Sequence, residues 1–286
     1  MTPPETIGST LGSVADALTA AGFDEARRRA RRVLAVALGI SNTEVFARLD
    51  RMVTENEGER VAMVLRRVLR HEPLSRIAGV REFWGLEFTL SPDTLDPRPE
   101  SETLIEAIAA RLPERDRPHR FLDLGTGTGC LLLALLSEFP AASGIGVDRA
   151  DGAVDMARRS AARLGFAARA RFVTGDWAEG ITGPFDAVIA NPPYIPSGEI
   201  PSLPSEVCDF DPVAALDGGP DGLDAYHAIA RFLPDLLVPG GWFACEVGQG
   251  QDSAVAGIIA ARGLVIDAVV PDLAGIARCV IAQRRT

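Results

Sequence analysis

Residues 121–130 read Phe-Leu-Asp-Leu-Gly-Thr-Gly-Thr-Gly-Cys, and residues 131–136 continue as an apolar, helix-like run. A short apolar stretch thus leads directly into a glycine loop and then into a predicted helix. Glycine tolerates positive φ and lets the backbone approach a ligand closely, so the N–H groups of the loop and of the helix start can face a nucleotide. The stretch predicts a strand, a nucleotide-binding turn and a helix, which form the first unit of an open α/β sheet.

The loop differs from a dinucleotide-binding fingerprint at one position. Cys130 stands where that fingerprint has its third Gly or Ala, so the match to a NAD site is imperfect. A second strand-like stretch, residues 145–148, ends in Asp148, a carboxylate about 20 residues after the loop, as expected for binding the hydroxyls of a ribose. The alternative for Asp148 is a cap on the helix predicted after Ala150.

Two more apolar stretches end in residues suited to a ligand. Residues 170–174 are followed by Asp176 and Trp177, which can contact an adenine; the alternatives are a turn residue for Asp176 and a packing residue for Trp177. Residues 185–190 are followed by Asn191. Ligands of open α/β sheets bind beyond the carboxyl ends of the strands, so these strand ends are expected to meet at one site.

Asn191, Pro192, Pro193 and Tyr194 form an arrangement for holding a planar NH2 group. A carboxamide offers one acceptor oxygen and two donor hydrogens, while proline fixes its own φ and lacks an N–H. The Asn191 oxygen and the Pro192 carbonyl can accept the two hydrogens of a substrate amine, with the Tyr194 ring against the same plane. The alternative is that Asn-Pro-Pro is an ordinary turn. The glycine loop upstream favours the ligand-binding interpretation.

The glycine loop and the Asn-Pro-Pro-Tyr motif together resemble the S-adenosylmethionine-dependent amino-methyltransferases. Further segments resemble the release-factor glutamine N5-methyltransferase family of the HemK/PrmC type, and this similarity covers almost the whole chain after Glu72. These segments are residues 72–79, 83–88, 97–102 and 211–223. Asn-Pro-Pro-Tyr is shared with adenine and guanine amino-methyltransferases, so the other segments are the ones that indicate glutamine as the acceptor.

The resemblance implies a role for each motif. Residues expected to bind S-adenosylmethionine are Gly125, Thr126, Gly127, Thr128, Gly129, Asp148, Trp177 beside the adenine, and Asn191. Residues expected to bind the substrate amide are Asn191, Pro192, Pro193 and Tyr194, of which Asn191, Pro192 and Tyr194 are the expected catalytic residues. No metal is implied.

Residues 97–102 are expected to form a lid over the cofactor, in which Arg98 and Glu100 serve as a cap or an ion pair. Two positions depart from the family pattern: Asp96 replaces an apolar residue, which affects how the lid packs, and Ser101 replaces the usual threonine. Neither change is expected to touch the groups that perform the chemistry. Glu246, near the end of a later strand, is expected to orient neighbours rather than to take part in catalysis.

The predicted fold class is α/β, a Rossmann-like doubly wound methyltransferase sheet with its last strand antiparallel. A small all-helical N-terminal domain over residues 1–75 and a β-hairpin linker over 76–97 precede the methyltransferase domain over 98–286. A helix is predicted over residues 99–112, and further strands over 242–247, 264–269 and 277–282. The segment 195–223 is too long for an ordinary connection and is expected to form the substrate wall; the alternative is a mobile surface insertion, in which Asp211 and Asp217 cap helices.

Composition limits the classes of function. The chain has 286 residues, 47% of them apolar, and carries a net charge of −10, which argues against non-specific nucleic-acid binding. No stretch is long and apolar enough for a membrane span and the start does not resemble a signal peptide, so a cytoplasmic protein is expected.

The four cysteines, Cys130, Cys208, Cys245 and Cys279, lack metal-ligand spacing and are expected to be reduced. Cys130 begins a helix, where its pKa can be lowered, or is a small core residue.

Methylation of an amide nitrogen depends mainly on holding it in line with the methyl group, so no catalytic histidine is expected. The three histidines, His71, His119 and His227, are expected at the surface or at helix ends. The predicted function is methyl transfer to a glutamine in the Gly-Gly-Gln loop of class-1 peptide chain release factors, with no membrane and no direct nucleic-acid partner. The alternatives are a ribosomal-protein glutamine, an exocyclic amine of DNA or RNA, and a non-catalytic cofactor-binding adaptor.

Arginine clusters at residues 27–32 and 66–70 are solvated helix faces or a docking face for the protein substrate.

Overall fold

The computed structural model describes residues 5–272 and 274–285. The chain forms two compact units, Met1–Gly79 and Val80–Thr286. In the described part of the chain, every helix is too short or too polar to cross a bilayer.

The first unit is helical. Its helices are α1 Ile7–Ala20, α2 Ala26–Leu38, α3 Asn42–Ala47, α4 Glu55–Val68 and α5 Leu74–Ala78. Three of them begin with a capping box, in which Thr6, Ser41 or Thr54 accepts a hydrogen bond from the N–H of the third helical residue. Helix α2 ends at Gly39, which lies in the left-handed region with φ 64°.

The second unit opens with an antiparallel hairpin of β1 Val80–Phe83 and β2 Leu86–Thr89. The helices that follow are α6 Glu102–Arg111, α7 Cys130–Glu138, α8 Asp151–Arg163, α9 Ser205–Cys208, α10 Asp224–Ala230, α11 Leu233–Leu236 and α12 Asp252–Ala260. The strands of the main sheet are β3 Arg120–Leu124, β4 Ser143–Asp148, β5 Ala170–Thr174, β6 Phe185–Ala190, β7 Leu237–Glu246, β8 Leu264–Pro271 and β9 Ala277–Arg284.

The main sheet has the strand order β5-β4-β3-β6-β7-β9-β8. Strands β3 to β7 run parallel to one another, and β9 lies antiparallel between β7 and β8. The predicted α/β sheet with an antiparallel last strand is therefore confirmed. The chain order reverses between β3 and β6, and this switch point is where open α/β sheets bind ligands.

Four predicted elements had wrong boundaries. Strand β7 begins at Leu237 rather than at residue 242, because Leu237 already pairs with Phe185 before a bulge shifts the register. Strands β8 and β9 each extend two residues beyond their predicted ends, since they pair with each other along most of their length. The helix predicted from residue 99 starts as a 3-10 turn, Pro99–Ser101, before α6.

Both faces of the sheet are buried. Alternate residues of β6 point to opposite sides, so Ala187 and Ile189 join one hydrophobic cluster while Val188 and Ala190 join another. This explains the uninterrupted apolar sequences of the central strands, which are typical of parallel strands covered by helices on both faces.

His119 is buried, contrary to the expected surface position. Its ring stacks on Phe121 with centroids 6.0 Å apart, meets Phe139 edge-on at 5.5 Å, and hydrogen-bonds through Nε2 to the Glu114 carbonyl at 3.0 Å. His119 directly precedes β3, so its ring lies at the amino end of this strand, whereas the glycine loop lies at the carboxyl end. His71 and His227 are exposed, as expected.

Candidate active site

The carboxyl ends of β3, β4, β5 and β6 border one cavity of about 280 Å³. Sequence-predicted residues that line it are Gly125, Thr126, Gly127, Thr128, Asp148, Asp176, Trp177, Asn191 and Pro193. The expected lid contributes Pro97, Arg98 and Ser101, and the expected substrate wall contributes Pro212, Ala214 and Ala215. The remaining lining residues are Asp93, Leu95, Cys130, Leu131, Val147, Arg149, Ala150 and Gly175. Gly129, Pro192 and Tyr194 do not line it. The cavity thus gathers most of the predicted site from segments that are far apart in the sequence.

The glycine loop is held against the core by its last glycine. Gly129 has φ +82°, and a Cβ there would lie 3.2 Å from Ala157 Cβ and from the Phe172 ring. Only glycine combines this backbone conformation with so close an approach. The Gly129 position therefore fixes where α7 starts relative to the loop that precedes it.

Asp148 is tied to the same loop. Its Oδ2 accepts a hydrogen bond from the Gly127 N–H at 2.9 Å, and its Oδ1 accepts one from the Ala150 N–H at 3.0 Å. The second bond forms a turn just ahead of α8. The alternative of a helix cap is wrong, because α8 starts at Asp151 with Ala150 as its N-cap residue and has no side-chain cap. Each carboxylate oxygen has a further lone pair for a hydroxyl donor in the cavity.

Trp177 lies next to the glycine loop. Its Cζ3 atom is 3.7 Å from the position of a Cβ built on Gly125, and the half-buried ring also packs on the core beneath the sheet. Trp177 therefore lines the cavity and is also a packing residue, while its contact with an adenine stays a prediction. Asp176 is exposed at the rim of the cavity.

Two groups next to the loop, the buried Asp123 and the half-buried Cys130, have raised pKa values. Burial raises the pKa of Asp123 to about 7, even though the Thr126 hydroxyl donates to its Oδ2 at 2.5 Å. Burial also raises the pKa of the Cys130 thiol to about 12. A lowered thiol pKa at the helix start was one of the sequence-based alternatives for Cys130, and it is wrong because desolvation outweighs the helix dipole.

Asn191 leads into a network of polar side chains. Its Nδ2 donates to Ser101 Oγ at 3.0 Å, and the Ser101 hydroxyl donates to Glu246 Oε2. The Tyr194 hydroxyl approaches the other oxygen, Glu246 Oε1, at 3.4 Å. Ser101 and Glu246 are each 3% exposed, so the network is shielded from bulk water. Pro192 is buried beside it.

This network corrects one expectation from the sequence. The Ser101 substitution was expected not to touch the groups that perform the chemistry, yet the Ser101 hydroxyl is bonded directly to the Asn191 carboxamide. Glu246 was expected to orient its neighbours, and the structure identifies those neighbours as Ser101 and Tyr194.

An ion pair joins two walls of the cavity. Arg98 lies 2.5 Å from the buried carboxylate of Asp211, so Asp211 binds the predicted lid segment instead of capping a helix. Asp96 is buried as well, its N–H donating to Asp211 Oδ1 at 3.3 Å and its carboxylate lying 3.5 Å from Arg81 Nε. The acidic residue at position 96 therefore has a cationic neighbour of its own.

The segment after Tyr194 is folded back onto the Asn-Pro-Pro-Tyr loop. The Ile195 N–H donates to the Leu216 carbonyl at 2.9 Å, and the Gly218 N–H donates to the Ile195 carbonyl at 2.9 Å. Gln251, which the sequence did not indicate, donates through Nε2 to the Tyr194 carbonyl at 2.9 Å. Because Pro212, Ala214 and Ala215 line the cavity, this segment is a wall of the site and not a detached insertion.

Comparisons with known proteins agree with this geometry. The methyltransferase small domain family matches residues 88–201, and the PrmC N-terminal domain family matches residues 10–79. A methyltransferase from Pyrococcus furiosus shares the fold, with a TM-score of 0.53 and 17% identity over 74% of this chain and 94% of that chain. The chain therefore has a methyltransferase fold.

Two curated relatives narrow the class to a family. The release factor glutamine methyltransferases of Rhodospirillum rubrum and Bradyrhizobium diazoefficiens are 48% and 43% identical to this chain, covering 98% of it in both cases and 85% and 95% of the relatives. The chain belongs to the release factor glutamine methyltransferase family, as its motifs predicted.

Proposed function

We propose that this chain transfers the methyl group of S-adenosylmethionine to the side-chain amide nitrogen, N5, of a glutamine in the Gly-Gly-Gln loop of class-1 peptide chain release factors. The observation that carries the proposal is that the Asn191 carboxamide lines the same cavity as the glycine loop and Asp148. The names of the curated relatives support a glutamine of a release factor as the acceptor.

The residues of the cavity fit S-adenosylmethionine. Residues Gly125 to Thr128 line the cavity, where their two glycines let the backbone approach a ligand closely. Asp148 offers acceptors for ribose hydroxyls, and Trp177 offers an aromatic face for the adenine. When bound, this cofactor supplies a methyl carbon activated by a positively charged sulfur, and the carbon–sulfur bond breaks as S-adenosylhomocysteine is formed.

Asn191 and its neighbours hold the acceptor. An amide nitrogen is a poor nucleophile because its lone pair is delocalised, so orientation toward the methyl group is the main requirement, worth about 7 to 11 kcal/mol in well-oriented systems. The Asn191 Oδ1 and the Pro192 carbonyl accept the two N–H hydrogens of the glutamine amide, Tyr194 lies against the amide, and Pro193 completes the loop. These acceptors draw electron density toward the nitrogen as its positive charge develops.

The nitrogen gains the methyl group and loses one proton to water, so the product is a neutral secondary amide. An N-protonated amide is strongly acidic, and this step needs no base in advance. Among the described residues that line the cavity, none is a histidine.

The domain roles extend the proposal. Residues 1–75 serve as the domain that recognises the release factor, 76–97 as the linker and 98–286 as the catalytic domain, with support from the PrmC N-terminal domain match over residues 10–79. Release factors act on cytoplasmic ribosomes, which places the enzyme in the cytoplasm.

Labelled S-adenosylmethionine tests the acceptor directly. We expect purified protein to label an unmethylated class-1 release factor at one glutamine, located by mass spectrometry, and to leave ribosomal protein and nucleic acid unlabelled. The matched control is the same release factor with that glutamine replaced by asparagine, which should remain unlabelled. Label in nucleic acid or ribosomal protein alone would overturn the proposal.

Asp148→Ala is expected to raise the Kd for S-adenosylmethionine about tenfold, because it removes an acceptor pair worth about 1.4 kcal/mol. Calorimetry with S-adenosylhomocysteine and its 2′-deoxy and 3′-deoxy analogues separates ribose binding from loop order. If Asp148 binds a ribose hydroxyl, removing that hydroxyl weakens binding to the wild-type protein but not to Asp148→Ala. Equal losses in both proteins for each analogue would show that Asp148 only orders the loop.

A further inference from the structure

We propose that Glu246 and Ser101 are positioning residues that determine which end of the Asn191 carboxamide faces the cavity. The three side chains, Glu246, Ser101 and Asn191, are called the orienting chain below. The inference rests on the proposed function, since it concerns how Asn191 presents an acceptor to the substrate amide.

The sheet places the two ends of the orienting chain side by side. Asn191 directly follows β6, and Glu246 is the last residue of β7, the adjacent parallel strand. Ala190 is in register with Cys245, so the next residue of each strand emerges at the same level. Ser101 ends the 3-10 turn Pro99–Ser101 and inserts its hydroxyl between them.

Hydrogen-bond chemistry gives the orienting chain a direction. An ionised carboxylate only accepts, so the single hydroxyl hydrogen of Ser101 is directed to Glu246 Oε2. The Ser101 oxygen then has only lone pairs for Asn191, and these select the NH2 end of the carboxamide, at 3.0 Å. Within residues 5–272 and 274–285 no donor bonds to Asn191 Oδ1, which leaves this oxygen as the acceptor for a ligand.

Burial makes the direction costly to reverse. Glu246 and Ser101 are each 3% exposed, so water does not compete for the shared hydrogen. The remaining acceptors of Glu246 are also engaged: the Tyr194 hydroxyl approaches Oε1 at 3.4 Å and the Tyr226 hydroxyl donates to the backbone oxygen at 2.9 Å. The orienting chain is thus fixed at its carboxylate end.

Protonation of Glu246 would reverse this direction. A neutral carboxyl can donate to Ser101, whose hydrogen then turns toward Asn191 and selects the carbonyl end, so that two NH2 groups would face each other across the cavity. Burial raises the pKa of Glu246 above its ordinary value, while Ser101, Arg278 and Tyr194 oppose that rise. The other titratable groups around this carboxyl are Glu100, Tyr226, Cys245 and Cys279. Activity should therefore fall with decreasing pH through a pKa above that of an ordinary glutamate.

The kinetic test compares Ser101→Ala, Ser101→Thr and Glu246→Gln with the wild type, using labelled S-adenosylmethionine and unmethylated release factor across the pH range. We expect kcat to fall about tenfold or more in Ser101→Ala and Glu246→Gln, as for the loss of one oriented acceptor, with KM for S-adenosylmethionine little changed. Threonine at 101 restores the hydroxyl and should restore kcat. Glu246→Gln, which cannot ionise, should also lose the acidic limb of the kcat profile. Ser137→Ala, at an exposed helix position, is the matched control with wild-type kinetics.

A second readout does not depend on the substrate. In uniformly 15N-labelled protein, the side-chain NH2 resonances of Asn191, assigned with Asn191→Asp, should shift in Ser101→Ala and in Glu246→Gln but not in Ser137→Ala. Wild-type protein that fails to label the release factor would contradict the proposed function, while these resonances would still decide the orienting chain. Unchanged Asn191 resonances, or wild-type kcat and pH profile in both variants, would overturn the inference.

Discussion

Asn191→Ala is expected to lower kcat for release-factor methylation about 10²- to 10³-fold, the usual cost of removing one preorganised group aimed at a developing charge. Alanine removes the acceptor oxygen that faces the cavity and the NH2 group that bonds Ser101 at 3.0 Å. The glycine loop and Asp148 are untouched, so the Kd for S-adenosylmethionine should change only a few-fold. Single-turnover kinetics with the release factor, together with calorimetry for the cofactor, measure the two quantities separately.

Two variants make this result specific. Asn191→Asp keeps an oxygen facing the cavity but loses the donor to Ser101, so its kcat should lie between those of the alanine variant and the wild type. Asp148→Ala is the converse control, because it should weaken cofactor binding while largely preserving kcat at saturating cofactor. Near-normal turnover in Asn191→Ala would remove the amide-holding role from Asn191.

The parts of the site that the sequence predicted are local in the chain. The glycine loop, Asp148, Trp177 and Asn191 each follow an apolar strand within a few residues, and strand ends of an α/β sheet meet at one edge. The structure places all four around the same cavity. Their common location follows from their positions after parallel strands and does not require the order of the strands in the sheet.

The contacts that the sequence did not predict depend on pairing between distant segments. Ser101 and Glu246 are 145 residues apart in the chain, and Arg98 and Asp211 are 113 apart. These contacts depend on which strands are neighbours and on their register. The serine at position 101, in place of threonine, does not indicate which residue it contacts. His119 was misplaced for the same reason, since its burial depends on aromatic rings contributed by β3 and by the end of α7.

Gly222 shows how the segment 195–223 supports the Asn-Pro-Pro-Tyr loop. Gly222 has φ +76°, and a Cβ there would overlap the Tyr194 carbonyl oxygen and lie 2.5 Å from Gln251 Nε2. These two groups are themselves hydrogen-bonded at 2.9 Å. A methyl group at position 222 would therefore push apart the contact that holds the backbone of Tyr194.

Gly222→Ala is accordingly expected to reduce kcat about 100-fold, since displacements of the order of 1 Å at a positioning loop have effects of this size. The left-handed backbone and the overlap should also lower the free energy of unfolding by about 1–3 kcal/mol. Gly198→Ala is the matched control: it lies in the same segment, and a Cβ there meets nothing within 4 Å. Thermal unfolding, cofactor Kd and kcat should be measured for both variants, and cofactor Kd should stay close to that of the wild type because the glycine loop is not displaced. If Gly222→Ala is folded and turns over like Gly198→Ala, the contact between the Tyr194 carbonyl and Gln251 does not position the Asn-Pro-Pro-Tyr loop, and that loop must be held by β6 and by the backbone bonds of Ile195.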